Sequence, residues 1–129
     1  MYELPENFDE NQLVGYYLGE VGIGAFTTNL RFAKPQTTAG NSSTINICIK
    51  GNASYFRGES LGKCEAENPR SMAALVDFLM ADIDSVQRVK KASLKILFKN
   101  GEYILFNGDS SPDYESYLIQ ISGGDIIVV

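Results

Sequence analysis

Histidine is absent from these 129 residues. That removes Ser-His-Asp and Cys-His arrangements, the commonest general base, and most zinc sites. Cysteine is scarce, with only Cys48 and Cys64, and they form no C-x-x-C pair. Two such residues cannot build a disulfide framework, so they read as free thiols. No apolar run approaches the roughly 20 residues needed to cross a bilayer. The opening Met1-Tyr2-Glu3-Leu4-Pro5-Glu6 is acidic and has no apolar core of the signal-peptide kind. The expected compartment is the cytoplasm, with no membrane association. Basic residues are also outnumbered, 11 against 16 acids, for a net charge of −5. An acidic chain repels phosphate backbones, so nucleic acid is a poor partner.

What is present is ordinary globular material. Apolar residues make up 44% of the chain, enough for one core, so the expectation is a single domain over residues 1–129. Ser93–Val129 organises the reading. It divides into four strands, with Asn100-Gly101 as a hairpin turn and Gly123-Gly124-Asp125 as the last turn. Earlier in the chain, Phe26, Thr28, Leu30 and Phe32 alternate with polar neighbours, and so do Ile45, Ile47 and Ile49. Period two predicts half-buried strands, joined through a Thr/Ser/Gly/Asn loop over 36–44. Tyr55-Phe56 opens a short further strand, and Arg57–Glu67 reads as loop.

Asn68-Pro69 predicts a helix start. Met72, Leu75, Val76 and Leu79 then form an apolar stripe at helical spacing, which predicts one main helix over about 69–80. The expected fold is therefore α+β: a predominantly antiparallel, curved sheet with that helix packed on it. A shift of 66 residues lays Leu13 on Leu79, Tyr17 on Ile83, Ile23 on Val89, Leu30 on Ile96 and Phe32 on Phe98. This marks an internal pseudo-repeat, with half-repeats 9–50 and 75–129.

Chemistry-bearing residues are few. Gly19, Gly22 and Gly24 have the wrong spacing for a dinucleotide loop and precede a strand pattern. Asp109, Ser111, Asp113 and Glu115 offer alternate oxygens without the closing pattern of a calcium loop. No catalytic residue, metal ligand or cofactor site is assigned. Glu115 is the one acid flanked by apolar strand residues, and it reads as structural or interfacial before catalytic. Tyr16, Tyr17, Tyr103, Tyr114 and Tyr117 supply the amphipathic surface enriched at interface hot spots. Of these, Tyr16, Tyr17, Tyr114 and Tyr117, with Glu115, are the candidate partner-binding residues.

The stretches Phe98-Lys99-Asn100-Gly101, Asp109-Ser110-Ser111 and Tyr114-Glu115-Ser116-Tyr117 resemble an uncharacterised family of small bacterial α+β proteins, similar to immunity components of bacterial toxin systems. The likeness spans roughly residues 69–129. It implies a non-enzymatic binder of a cognate toxin. A basic toxin domain would suit the acidic chain, since complementary charge speeds association. Two alternatives stand beside it. One is a structural or oligomeric scaffold pairing through the strand at 126–129. The other is a small-molecule binder using Glu115 and the nearby tyrosines.

Overall fold

The computed structural model describes residues 3–35, 43–108, 115–122, 124 and 126–129. The chain is mostly β, 52% strand and 12% helical, which overturns the α+β expectation of one curved sheet carrying a main helix. In order the strands are β1 (Tyr17–Ile23), β2 (Thr28–Ala33), β3 (Thr44–Ile49), β4 (Asn52–Arg57) and β5 (Ser60–Glu65). Then come β6 (Ile83–Val89), β7 (Ser93–Phe98), β8 (Tyr103–Phe106), β9 (Tyr117–Ile121) and β10 (Ile126–Val128). They form two five-stranded antiparallel sheets. Sheet A has the order β1-β2-β3-β9-β10 and sheet B the order β5-β4-β8-β7-β6. Among the described residues no helix is long and apolar enough to cross a membrane.

The segment expected as the main helix is a 3-10 helix, Pro69–Phe78. Its buried residues are Met72, Leu75 and Phe78, spaced by three. Three residues per turn is the 3-10 period, so this winding puts all three on one line toward the core. An α-helix would instead have buried Val76 and Leu79, and these are 43% and 39% exposed. Asn68 makes no side-chain cap. Ser71 ties the segment down instead: its hydroxyl accepts from Glu65 N–H at 2.8 Å and donates to the Asn68 carbonyl at 2.7 Å. The stretch expected as loop after Arg57 holds a second hairpin, with β5 returning on β4 through Gly58-Glu59.

The two sheets have the same plan. Each consists of a three-stranded meander from one half of the chain and a hairpin from the other. β1-β2-β3 is joined by β9-β10, and β6-β7-β8 by β4-β5. The chain passes from sheet A to sheet B between β3 and β4, and back between β8 and β9. Both meanders carry a β-bulge in the first strand, between Leu18 and Glu20 and between Ile83 and Ser85. Leu18 lies opposite Phe32, and Ile83 opposite Phe98. All four are essentially fully buried.

The sheets meet where β1 approaches β6, and the hydrogen bonds there are reciprocal. Leu18 N–H donates to Ala81 O at 3.2 Å, and Ile83 N–H donates to Tyr16 O at 2.8 Å. Gly15 N–H reaches Ile83 O at 3.4 Å, and Met80 N–H reaches Leu18 O at 2.8 Å. Tyr17 and Asp82 pair at the centre. The chain is thus two-fold symmetric in topology about this pair. Leu30/Ile96 and Phe32/Phe98 are equivalent across it. In the first strands the equivalence runs one residue out of step with the 66-residue shift, matching Leu13 to Phe78 and Leu18 to Ile83.

One core lies between the sheets. Its floor on sheet A is Leu30, Phe32, Ile45, Ile47, Ile49 and Ile119; on sheet B it is Leu94, Ile96, Ile104 and Phe106. Phe106 of β8 packs on Tyr117 of β9, ring centroids 5.8 Å apart. The N-terminal stretch closes one end. Arg88 of β6 holds it: Nε to Glu10 at 3.0 Å, Nη1 to Pro5 O at 2.7 Å, and Nη2 to Phe8 O.

Candidate interaction surface

The described residues among those expected at a partner interface do not form one exposed surface. Tyr117 is 1% exposed, and its hydroxyl donates to the Ala92 carbonyl at 2.7 Å. Tyr16 is 6% exposed, with Lys34 Nζ 5.0 Å from its ring centroid. Both side chains belong to the core, and for Tyr117 the packed ring is completed by a hydrogen-bonded tip. Tyr17 is half-buried at the β1–β6 junction. Glu115 is half-exposed and paired to Lys50 at 2.6 Å. That bond holds the Lys50 ammonium above its ordinary pKa. Tyr114 lies outside the described residues, as do the acidic stretch 109–113 and most of the 36–44 loop.

The sheet faces are more informative. In an antiparallel sheet, directly opposed residues point to the same face, so register gives the composition of each face. On sheet B the inward row is Val86, Ile96, Ile104, Tyr55 and Gly62. The adjacent outward row is Ser85, Leu97, Tyr103, Phe56 and Leu61. Four consecutive positions of a solvent-facing row are therefore large and apolar. Phe56 and Tyr103 stack at 5.7 Å, with 23° between their planes. Lys95 Nζ sits 4.1 Å from the Tyr103 centroid. Leu61, on the edge strand, is 75% exposed. The next outward row is Gln87, Lys95, Leu105, Ser54 and Lys63, so Leu105 extends the apolar stripe and the two charges on it are both lysines.

Sheet A provides an internal control. By the two-fold topology, its outward row Glu20, Arg31, Asn46, Gln120 and Ile126 occupies the places of Ser85, Leu97, Tyr103, Phe56 and Leu61. There the three central positions are Arg, Asn and Gln. Arg31 faces Glu20 at 3.8 Å, and Asn46 donates to Asn29 Oδ1 at 2.9 Å. The centre of this row is ordinary solvated surface. The architecture does not need apolar residues at these places, yet sheet B carries them.

Chemically, the sheet B face offers contact area. Aromatic and aliphatic side chains held on paired strands lose little freedom on contact, and they are the residue types that dominate interface energetics. The two thiols offer no reactive nucleophile. Burial pushes Cys64 up to about 11, and Cys48 is also raised, chiefly by burial. Among the described residues no cluster of His, Cys, Asp and Glu could hold a metal. Comparison of the chain with protein-family models, with curated proteins and with solved structures finds no match.

Sequence reasoning reached Tyr103 as one of several tyrosines and missed Phe56, Leu61, Leu97 and Leu105. A signal was available. Ile96-Leu97-Phe98 and Ile104-Leu105-Phe106 are continuous apolar runs. Such runs mean both faces of a strand are apolar, and in a two-sheet fold only one face meets the core.

Proposed function

We propose that this chain is a non-enzymatic binding protein that takes a protein partner on the outer face of sheet B. The observation that carries the reading is that Leu97, Tyr103 and Phe56, continued by Leu61, are apolar where Arg31, Asn46 and Gln120 hold the equivalent places of sheet A. Contiguous apolar surface of this kind marks interaction sites. Two copies of the face would gather four ammonium groups, from Lys63 and Lys95, around one apolar seam. A different protein is therefore the better occupant, one presenting apolar side chains with carboxylates at their margin. The immunity-type inhibitor of a cognate toxin is the specific form of this proposal. It draws on the likeness of the Asn100–Tyr117 stretch. The net charge of −5 would steer a basic toxin at long range, with the local contact made by sheet B. The free thiols support a reducing compartment, the cytoplasm.

Co-expression with the toxin-like product of a neighbouring gene tests the proposal. The wild-type chain is expected to co-purify with it and restore growth. The Phe56→Gln/Leu61→Gln double variant is expected to melt near the wild type and bind about tenfold or more weakly. Failure of the wild-type chain to form the complex ends the immunity reading. Undiminished binding by the double variant ends the assignment to sheet B.

A further inference from the structure

We infer that the β10 edge of sheet A is a self-pairing edge, which joins two copies of this chain through an antiparallel β10–β10 contact. Four strands end the two sheets, and three of them are blocked. β1 and β6 are bulged and bonded to each other across the junction. β5 carries Lys63 and Glu65, and the 3-10 segment is anchored to its end through Ser71 and the Glu65–Asn68 bridge. Charged residues, bulges and covering segments are the usual means of keeping edges from pairing. β10, the topological equivalent of β5, is short, at three residues, and has no charged side chain, bulge or covering segment among the described residues. The side chains of Ile126, Ile127, Val128 and Val129 are uncharged, and Ile126 is 60% exposed.

The pairing is self-complementary in register. Val129 and Tyr117 exchange both backbone hydrogen bonds, N–H to O at 3.0 and 3.3 Å. Hydrogen-bonded pairs alternate along an antiparallel ladder, so Ile127 bonds inward to Ile119, two residues on. The N–H and C=O groups of Ile126 and Val128 therefore point away from β9, to the free edge. A two-fold axis through Ile127 sets Ile126 of one copy opposite Val128 of the other, twice. Each of those pairs presents outward donors and acceptors to its mate, for about four new backbone bonds. Opposed residues stay on matching faces. The apolar outer pair Leu118 and Val128 then continues into Ile126 of the second copy. A second copy thus satisfies both backbone and side chains, and the inference is independent of what binds sheet B.

Sedimentation equilibrium and light scattering on the whole chain, from about 5 to 500 µM, test it. The wild-type chain is expected to approach twice its 14.2 kDa mass with rising concentration. Val128→Pro removes an outward N–H without breaking a bond to β9, and Ile126→Lys places a charge opposite Val128 of the other copy. Both are expected to remain monomers with a near wild-type circular dichroism spectrum. If Val128→Pro does not fold, Ile126→Lys alone carries the test. In the wild type, amide exchange at Ile126 and Val128 is expected to slow with concentration. A wild-type monomer throughout overturns the inference. So does a dimer that survives both substitutions, which would place the contact elsewhere, such as sheet B.

Discussion

Met80 is the sharpest place to perturb the two-fold plan. It has φ of +71°, a left-handed conformation that side chains rarely adopt. Its equivalent in the first half is Gly15, at φ of +91°. Each lies one residue past the cap of a 3-10 segment, Pro69–Phe78 for Met80 and Glu10–Leu13 for Gly15, and donates into the facing strand, Met80 to Leu18 O and Gly15 to Ile83 O. The geometry is thus demanded twice, and only one half supplies glycine. A left-handed non-glycine residue is disfavoured by roughly 1–2 kcal/mol. Glycine loses roughly 0.5–1 kcal/mol more backbone entropy on folding than alanine. Met80 is 74% exposed, so little packing is lost with its side chain. Met80→Gly is therefore expected to stabilise the chain by about 0.5–1 kcal/mol. The reverse change has a clean reading, because a Cβ added at Gly15 meets nothing within 4 Å. Gly15→Ala should cost about 0.5–1 kcal/mol, from backbone conformation alone. Urea denaturation at a concentration where the chain is monomeric gives both numbers, read as midpoint shifts at constant m. A destabilised Met80→Gly variant, or a stabilised Gly15→Ala variant, would refute the assignment of left-handed corners to these positions.

Further outcomes follow from buried groups. Tyr117→Phe leaves the buried Ala92 carbonyl without the Tyr117 hydroxyl and should cost about 1–3 kcal/mol. An unchanged melting temperature with lost partner binding would instead make Tyr117 a contact residue. Gly62→Ala should displace the Tyr55 ring, whose Cζ lies where the new methyl would go, and lower the melting temperature by several degrees. The Glu10 carboxyl is held below its ordinary pKa, first by a backbone hydrogen bond and then by Arg88. A depressed carboxylate pKa adds stability above the unfolded value, about 4.5, that is lost as pH falls through the folded one. Glu10→Gln should therefore lower stability at neutral pH by up to about 1 kcal/mol and flatten the acid limb of the stability curve, read by urea midpoints between about pH 2 and 7. A thiol reagent at neutral pH should modify Cys48 slowly and leave Cys64 untouched until the chain is unfolded. Rapid native modification of Cys64 would contradict its burial.

Strands were legible where one face alone is apolar. β2 and β3 alternate without interruption, and Phe32, Ile45 and Ile47 all point inward. Phe26, which the same alternation placed on that face, is 76% exposed in the preceding turn. β1 was blurred because the bulge after Leu18 shifts the period by one residue. β4 was legible only at Tyr55-Phe56, because adjacent apolar residues facing opposite ways hide a period of two. β5 has only Cys64 fully buried and gave no signal. The 3-10 helix failed on a narrower point: Met72 and Leu75 fit both periods, and Phe78 against Leu79 decides between them. The exchange of hairpins between sheets depends on pairings such as Ile47 with Ile119 and Tyr55 with Ile104. Local pattern cannot specify partners so far apart in sequence.

The same surface that hid β4 is the one proposed to take a partner. A fold whose two sheets share a plan meets one set of folding demands twice, so residues equivalent by symmetry and alike in character answer to the fold. Leu18/Ile83, Leu30/Ile96 and Phe32/Phe98 are of that kind, and all are buried. Residues equivalent by symmetry but opposite in character answer to something else. Leu97 against Arg31, Tyr103 against Asn46 and Phe56 against Gln120 differ in the sense that makes sheet B adhesive and sheet A wettable. The converse asymmetry appears at the edges, where β5 is charged and anchored and β10 is bare. Exchanging the characters separates the two roles. Placing Arg, Asn and Gln at 97, 103 and 56 copies a face that this architecture already carries in sheet A, so folding should survive and partner binding should not. If that triple variant instead fails to fold, while Ile126→Lys on sheet A is tolerated, the apolar row of sheet B is part of the folding requirement, and its reading as a docking surface is wrong.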